Sequence, residues 1–401
     1  MRARALPAAR ALAHRGHSVE IVMPPWHTPQ DAGATWLDEG SGVRLTYVSL
    51  DDLSAPIVGH YIVARRMVRR VLAAKPDVVH AFKPKAYSGL AAMDIRLRQR
   101  LGTQTRLVMD TDDWEGPGGW NELEPYGRLQ QRFFAWQERW GLLHADAVTV
   151  ASRALQSLVW SLGVGREQVT YMPNAVALAD VPGSAVQPSA RRALNAPAGL
   201  AERAADIASG GAILLYTRFF DFQLPRPLDV LELVRRTLPR TRLVVAGKGL
   251  FGEEESFLEM AAARGLADAV DYLGWLEHEA AAALFASVDV ALYPFDDTLV
   301  NRTRSPMKLL DLMAAGLPVV AEDVGEIGQV IEHGRSGLLV TPGDVGALAT
   351  QVVRLLASPE DRAAMGRQAQ EQIRRSYTWE QRAGLLERVY RGEVTETQAG
   401  P

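Results

Sequence analysis

The chain has 401 residues, 47% of them hydrophobic, with 44 basic against 47 acidic side chains and a formal net charge of −3. That length accommodates two domains, and the near balance of charge gives no reason to expect a nucleic-acid partner. The lack of cysteine excludes a disulfide framework and a thiolate metal site while leaving the redox compartment open; no uninterrupted apolar run approaches the roughly 18 residues of a membrane span.

The first segment, RARALPAARALAHRGH, has a helical pattern, with Arg2 and Arg4 but no apolar core of the kind a signal peptide needs. It passes through Gly16 into a strand near 18–23, and further strands are expected near 44–49, 77–81, 106–110, 147–151 and 169–172. Helical stretches separate them, an alternation that predicts a parallel, doubly wound sheet. One such stretch, YIVARRMVRRVLAAKP, sets Arg65, Arg66, Arg69 and Arg70 opposite Ile62, Val63, Met67 and Leu72. A basic amphipathic helix of this kind either rests on anionic lipid or is a solvated face over a core stripe.

The strand DVVHAF delivers His80, with Lys83 and Lys85 in the loop that follows; His80 reads as a ligand-side base or as a satisfied structural histidine. RLVMDTDDWEGPGGWNE then packs Asp110, Asp112 and Asp113 against Gly118 and Gly119. A D-x-D pair could hold a divalent metal on a diphosphate, or the acids could face an acceptor, or the segment could be a structural turn. Trp114, Trp120, Trp136, Trp140 and Trp160 fall nearby, suited to stacking on sugar rings, to a membrane interface or to core packing.

Composition changes at 180–211, which is rich in Pro, Ala, Gly and Ser and reads as an interdomain linker. A second alternating series follows, with strands near 212–217, 242–246, 269–273, 289–293, 317–321 and 338–340. The expected organisation is a first domain at 1–182, a linker at 183–211, a second domain at 212–376 and a helical tail at 377–401. Two Rossmann-like domains facing one cleft is the simplest architecture for it.

In the second half, ILLYT runs into Arg218, a guanidinium at the carboxyl end of a strand, where open α/β sheets bind ligands. Its fixed fork of donors suits phosphate. LVVAGKG ends a strand with Gly247 and Gly249, which admit close approach of a ligand or simply make a tight turn. DYLGWLEHEA puts Trp275 just past another strand. The densest signal is RTRSPMKLLDLMAAGLPVVAEDVGEIGQVIEHGRSGLLVTPGD, from Arg302 to Asp344. Ser305 reads as an N-cap, Pro306 as the first helical residue and Gly316 as the residue past the helix end. Lys308 then lies in the first turn, where free N–H groups already carry about half a positive charge, so an anion is expected there. Asp311 shares its face and could accept hydrogen bonds from a diol such as a ribose.

This segment, with SPMKLLDLMAAGLPVVA, then Asp323, Gly325 and Gly328, then HGRSGLLVTPGD, resembles the nucleotide-sugar half of the retaining family 4 glycosyltransferases, whose pattern is close to E-x7-E-A-M-A-x-G-x-P-V-V. The resemblance implies a GT-B fold and a metal-independent, hexosyltransferase-like enzyme with no cofactor. Its donor would be a nucleotide-diphosphate sugar and its acceptor a glycan or lipid-linked hydroxyl, as in cell-envelope polysaccharide synthesis. It also implies a cytoplasmic location, and the basic amphipathic helix adds peripheral contact with the inner face of an anionic membrane as one of its two readings.

The family's sugar-contacting glutamate falls on Thr303 and its ribose-binding glutamate on Asp311; the Pro306-Met307-Lys308 run fits a branch with P-x-K at this point. The family's Gly-Arg becomes Thr217-Arg218, Arg226 is the nearest candidate for its lysine, and Asp112 falls on its histidine or polar residue under the sugar. Trp275 lies near where the family reads the base, and Pro173-Asn174-Ala175-Val176 resembles its P-N-G-V with alanine in place of glycine. In this scheme Arg218, Lys308 and the helix start would neutralise the departing diphosphate, whose phosphate takes the acceptor proton. The family's first strand and glycine-rich loop have no counterpart, so the sequence is expected to begin late, from a misplaced start or a truncation; a genuine loss would leave a gap in the first sheet and unpaired backbone groups. Alternatives are a sugar-nucleotide epimerase, a nicotinamide dehydrogenase using Gly247 and Gly249, and a degenerate nucleotide-sugar-binding protein.

Overall fold

A computed structural model describes residues 3–26, 28–50, 58–181 and 211–393, so the expected linker at 183–211 lies almost wholly outside the described residues. The chain divides into two compact units: Met1–Ala175 with Arg302–Ser305 and Trp379–Pro401, and Val176–Asn301 with Pro306–Thr378.

The first unit starts with helix α1 (Ala5–His14) and strands β1 (Glu20–Met23), β2 (Thr35–Leu37) and β3 (Arg44–Tyr47). Then come α2 (Val58–Ala73), β4 (Val78–Phe82), α3 (Ala86–Arg100), β5 (Arg106–Thr111), α4 (Arg128–His144), β6 (Ala147–Val150), α5 (Arg153–Ser161) and β7 (Val169–Tyr171). β1 and β3 pair in parallel, with β2 added antiparallel. β4-β5-β6-β7 form a separate all-parallel sheet. β1 and β4 are each an edge strand of their own sheet among the described residues.

Central strands β5 and β6 are buried on both faces, which is why they read as near-continuous apolar runs. Ser152 caps α5 by accepting from Leu155 N at 3.0 Å. Helix α2 buries Val63, Ala64, Met67 and Val68 in its own core, so its apolar stripe is not available to lipid.

The second unit runs β8 (Ala212–Thr217), α6 (Arg226–Thr237), β9 (Arg242–Gly247), α7 (Glu253–Ala263), β10 (Val270–Tyr272), α8 (His278–Ser287), β11 (Val290–Tyr293) and α9 (Leu299–Thr303), of which Arg302 and Thr303 are counted with the first unit. After it come α10 (Met307–Ala314), β12 (Val319–Glu322), α11 (Ile327–Val330), β13 (Leu338–Val340), α12 (Val345–Ala357) and α13 (Pro359–Ser376), while α14 (Trp379–Arg391) returns to the first unit. The six strands lie parallel in the order β10-β9-β8-β11-β12-β13. That order reverses direction between β8 and β11, the kind of position at which open α/β sheets bind ligands beyond the strand ends.

Caps set the later helices: Asp344 accepts from Ala347 N at 2.8 Å, and Ser358 accepts from Asp361 N at 3.2 Å with Pro359 in the first turn. Helix α10 ends where Gly316 turns left-handed at φ 70°, and Gln370 of α13 donates to the last-turn carbonyl of Ala314 at 3.0 Å. Close packing there requires a glycine, since a Cβ on Gly366 would lie 2.1 Å from Gly316 O.

In the first unit, α14 packs Trp379, Ala383 and Leu386 against Ala8, Ala11 and Leu12 of α1 and Met172 and Ala175 after β7. Each of the larger side chains removed from water there contributes about 1.5–3 kcal/mol. Arg15 donates to Glu387 at 2.7 Å and a ring nitrogen of His17 lies 2.9 Å from the same carboxylate, contacts that hold the Glu387 carboxyl down to about 2.

Candidate active site

Four side chains of the second unit converge at the carboxyl edge of its sheet, next to the strand-order switch. Tyr216 and Arg218 come from the end of β8, and Lys308 and Asp311 from the first half of α10. All four are half-buried. The Lys308 ammonium sits 4.0 Å from the centroid of the Tyr216 ring, a cation–π contact. Burial pushes the Tyr216 hydroxyl up to about 12; Asp311 adds to the rise and Arg218 opposes it, so both charges act on this phenol. The Tyr216 ring is itself set edge-on against Phe285 at 5.2 Å.

Backbone strain fixes Arg218. Its neighbour Phe219 is left-handed at φ 67°, unusual for a bulky residue, and its ring is buried against Phe257. The conformation is held by Thr217, whose hydroxyl accepts from Phe219 N at 2.8 Å. A threonine where the resembling family has glycine therefore has a local task.

Helix α10 begins at Met307, with Pro306 in the cap position and no side-chain cap. The expected Ser305 cap is not made: Ser305 Oγ accepts from Asn174 N at 3.0 Å, and Asn174 Nδ2 donates to Ser305 O at 2.9 Å. The hydroxyl satisfies a neighbouring backbone donor instead of its own helix, leaving the α10 N–H groups without it. Lys308 still falls in the first turn. Met307 packs on the core and Thr303 is 1% exposed at the end of α9, so Thr303 presents no open hydroxyl.

Arg226, at the start of α6, lies between Asp296 at 2.7 Å and Glu322 at 2.8 Å. Glu322 is fully buried and also accepts from Phe295 N and Gly343 N, so this pair braces the loops after β11 and β13. The glycines after β9 serve the fold: a Cβ on Gly247 would lie 1.8 Å from Thr217 O, and Gly247 N donates to Gly274 O at 2.7 Å. Gly249 N donates to Glu254 Oε2 at 2.9 Å, which completes a turn onto α7. Trp275 is exposed after β10, its Nε1 donating to Glu277 at 3.2 Å.

In the first unit, Asp110 and Asp112 diverge. Asp110 is buried and takes a fork from Arg4 at 2.7 and 2.6 Å and a hydroxyl from Thr149 at 2.6 Å. It does not act as half of a D-x-D pair. His80 extends this interior network: one ring nitrogen meets Tyr390 Oη at 2.8 Å and the other Thr149 Oγ1 at 3.2 Å. Burial, with Arg4 nearby, lowers His80 to about 4 against the pull of Asp110, so the ring is neutral. With both nitrogens engaged, His80 is a structural histidine and no ligand-side base.

Asp112, Asp113 and Glu115 instead surround Lys83, whose ammonium lies 2.6 Å from Asp113 and 3.5 Å from Asp112. Burial pulls the Lys83 ammonium down, but the three carboxylates outweigh it and hold its pKa above the ordinary value. Burial raises Asp112, with Asp113 and Asp110 adding to the rise and Lys83 opposing it. Behind them Glu138 of α4 accepts from Glu115 N and Thr111 Oγ1, and burial together with the Glu115 charge pushes its carboxyl well up. Trp114 is buried while Trp136 is exposed; Trp120 carries Arg304 at 5.7 Å from its ring.

Sequence reading overlooked Tyr216, Glu322 and Glu138. Tyr216 looks like one more apolar strand residue, and the two glutamates give no pattern; only the strand-end position of Glu322 offered a signal.

The family described as glycosyl transferases group 1 matches residues 226–358, and the glycosyl transferase 4-like domain matches residues 1–175. Among curated proteins, the glycogen synthase of Mycobacterium tuberculosis is 25% identical over 320 residues, 79% of this chain and 69% of that protein. The GDP-mannose-dependent alpha-(1-6)-phosphatidylinositol monomannoside mannosyltransferase of Mycolicibacterium smegmatis is 28% identical over 395 residues, 96% of this chain and 93% of that protein. Among solved structures, sucrose-phosphate synthase from Thermosynechococcus elongatus superposes with a TM-score of 0.68 at 20% identity, over 96% of this chain and 91% of that one. With these matches over its length and two Rossmann-like units, the chain belongs to the group 1, family 4 glycosyltransferases of GT-B fold, enzymes that transfer a sugar from a nucleotide-sugar donor.

Proposed function

We propose that the protein is a retaining, metal-independent hexosyltransferase that moves a sugar from a nucleotide-diphosphate sugar to a hydroxyl of a glycan or lipid-linked acceptor. The convergence of Arg218, Lys308 and Asp311 about Tyr216 beside the strand-order switch carries this reading. Arg218 and Lys308, with the N-terminus of α10, meet the negative charge that grows on the diphosphate as the glycosidic bond breaks. Two cations and a helix terminus supply the compensation in this scheme, so it routes no step through a metal. Asp311 holds the ribose hydroxyls. Trp275 offers an exposed ring to the base.

The leaving phosphate oxygen takes the acceptor proton as the new bond forms on the same face of the sugar. On the first unit, Asp112 in its Lys83-centred cluster is the acceptor- or sugar-facing group. The mannosyltransferase relative, named for a phosphatidylinositol mannoside, supports a lipid-linked hydroxyl among the candidate acceptors and a peripheral position on anionic membrane.

The test is to incubate the full-length chain with a panel of nucleotide sugars, with and without glycan and glycolipid acceptors, and to measure nucleotide release and binding. Acceptor-dependent release with an unchanged anomeric configuration is expected. Failure to bind every donor in the panel would sink the proposal, and donor epimerisation without acceptor would replace it.

A further inference from the structure

Helix α4 has two faces of different character. Its inward face buries Phe134, Gln137, Glu138, Gly141 and Leu142. Its outward face exposes Leu129, Phe133, Trp136 and Leu143 by 82, 42, 51 and 38%. With half-buried Trp140 these residues recur at three- and four-residue steps and form one stripe along the helix. The Phe133 and Trp136 rings stack on that surface at 5.9 Å.

Arg128, Arg132 and Arg139 are exposed along one flank of the stripe. The sole acid of the helix, Glu138, is buried, and none of the three arginines pairs with a carboxylate among the described residues. An ordinary solvated helix carries polar residues on such a face. A second copy of the face would bring apolar surface but no acid to the guanidiniums. An anionic lipid surface supplies both an apolar layer and phosphates. By contrast, α2 has its apolar side in its own core, and Arg66 and Arg70 are bonded to Ser49 O and Glu20.

We propose that α4 is the docking surface of this protein for an anionic lipid bilayer. The helix lies in the plane of the interface, with Leu129, Phe133, Trp136, Trp140 and Leu143 below the headgroups and the three arginines on their phosphates. In its consequence for function the proposal rests on the glycosyltransferase reading. Glu138 on the inward face holds the loop that carries Asp112, so that loop lies about one helix diameter, roughly 10 Å, from the lipid. A short lipid-linked hydroxyl spans that distance.

The experiment sediments the full-length protein with vesicles of phosphatidylcholine alone and of phosphatidylcholine with about a third phosphatidylglycerol. Binding is expected to the anionic vesicles only. Each Arg→Gln change at 128, 132 or 139 should weaken it about fivefold, and the double change Phe133→Ser, Trp136→Ser at least about tenfold. Thermal melting confirms that the variants fold. The proposal is overturned by absence of binding to anionic vesicles or by undiminished binding of the double variant. It is equally overturned by a dimer that the double variant loses while vesicle binding stays the same. Nucleotide titration in solution, without lipid, is run in parallel: its failure counts against the glycosyltransferase reading alone, and vesicle failure with nucleotide binding intact counts against the docking surface alone.

Discussion

Replacing Lys308 by Met removes the charge and keeps the aliphatic stem that lies against the Tyr216 ring, so it separates electrostatics from packing. The residue is half-buried, with its ammonium nitrogen buried 4.0 Å from that ring, in the first turn of α10. Two unit charges about 4 Å apart at an effective dielectric near 20 attract by about 4 kcal/mol. The phosphate and the ammonium must both shed water, and a net charge-assisted hydrogen bond is worth about 1.5–3 kcal/mol. A loss of about 2–3 kcal/mol therefore follows, which is about 30–150-fold in affinity. Calorimetric titration with a nucleoside diphosphate and with the matching nucleoside gives the readout. The diphosphate should lose about that factor while the nucleoside changes by less than about threefold. Equal losses for both ligands, or no loss for either, would refute the assignment of Lys308 to the diphosphate.

Asp311→Asn should weaken nucleotide binding by about 1–2 kcal/mol and abolish discrimination against a 2′-deoxy analogue, measured by competition. Asp110→Asn leaves the buried Arg4 guanidinium without its counter-charge and should cost about 3–5 kcal/mol in denaturant unfolding, part of it recovered by Arg4→Met in the same chain. Glu138 has a raised pKa, so its protonated form suits the fold; its unfavourable contribution is absent below the ordinary carboxyl value and grows as pH rises toward the folded value. Glu138→Gln should accordingly raise the melting temperature at pH 7–8 and leave it unchanged near pH 4. His80, lowered to about 4, resists protonation that the unfolded chain accepts near 6.5, so stability falls as pH drops from about 6.5 to about 4. His80→Gln should flatten that part of the profile in a pH series of melting curves.

All twelve expected strands are present because short apolar runs in alternation with helices leave a sheet few other arrangements. β2 was invisible: Thr-Trp-Leu is three residues long and exposed throughout, so neither length nor alternation marks it. Lys308 was legible because a cation in a first helical turn conflicts with the local field, and such a conflict shows in one dimension. The Ser305 cap was not, because a better partner for the hydroxyl, Asn174 N, lies 131 positions away. The same blindness to distant partners left Gly247 open between a ligand approach and a tight turn; the carbonyl of Thr217 lies where its Cβ would be. It also hid the tie of His80 to Tyr390, 310 residues further along the chain.

That last tie sets an order of assembly. The first unit takes its floor under α1 from α14, and its buried Asp110 network is finished by Tyr390. The second unit has its last residue at Thr378. On a ribosome adding about 5–20 residues per second, roughly 10–40 s pass between synthesis of Ala175 and of Arg391. During that interval the earlier-made unit waits with an uncovered apolar seat and an incompletely screened ion pair, and the later-made unit, whose last residue is Thr378, is fully synthesised before it. The half of the enzyme encoded first is thus the half completed last, and a holdase that shelters Met172 and Ala175 in the nascent chain would speed recovery of active protein.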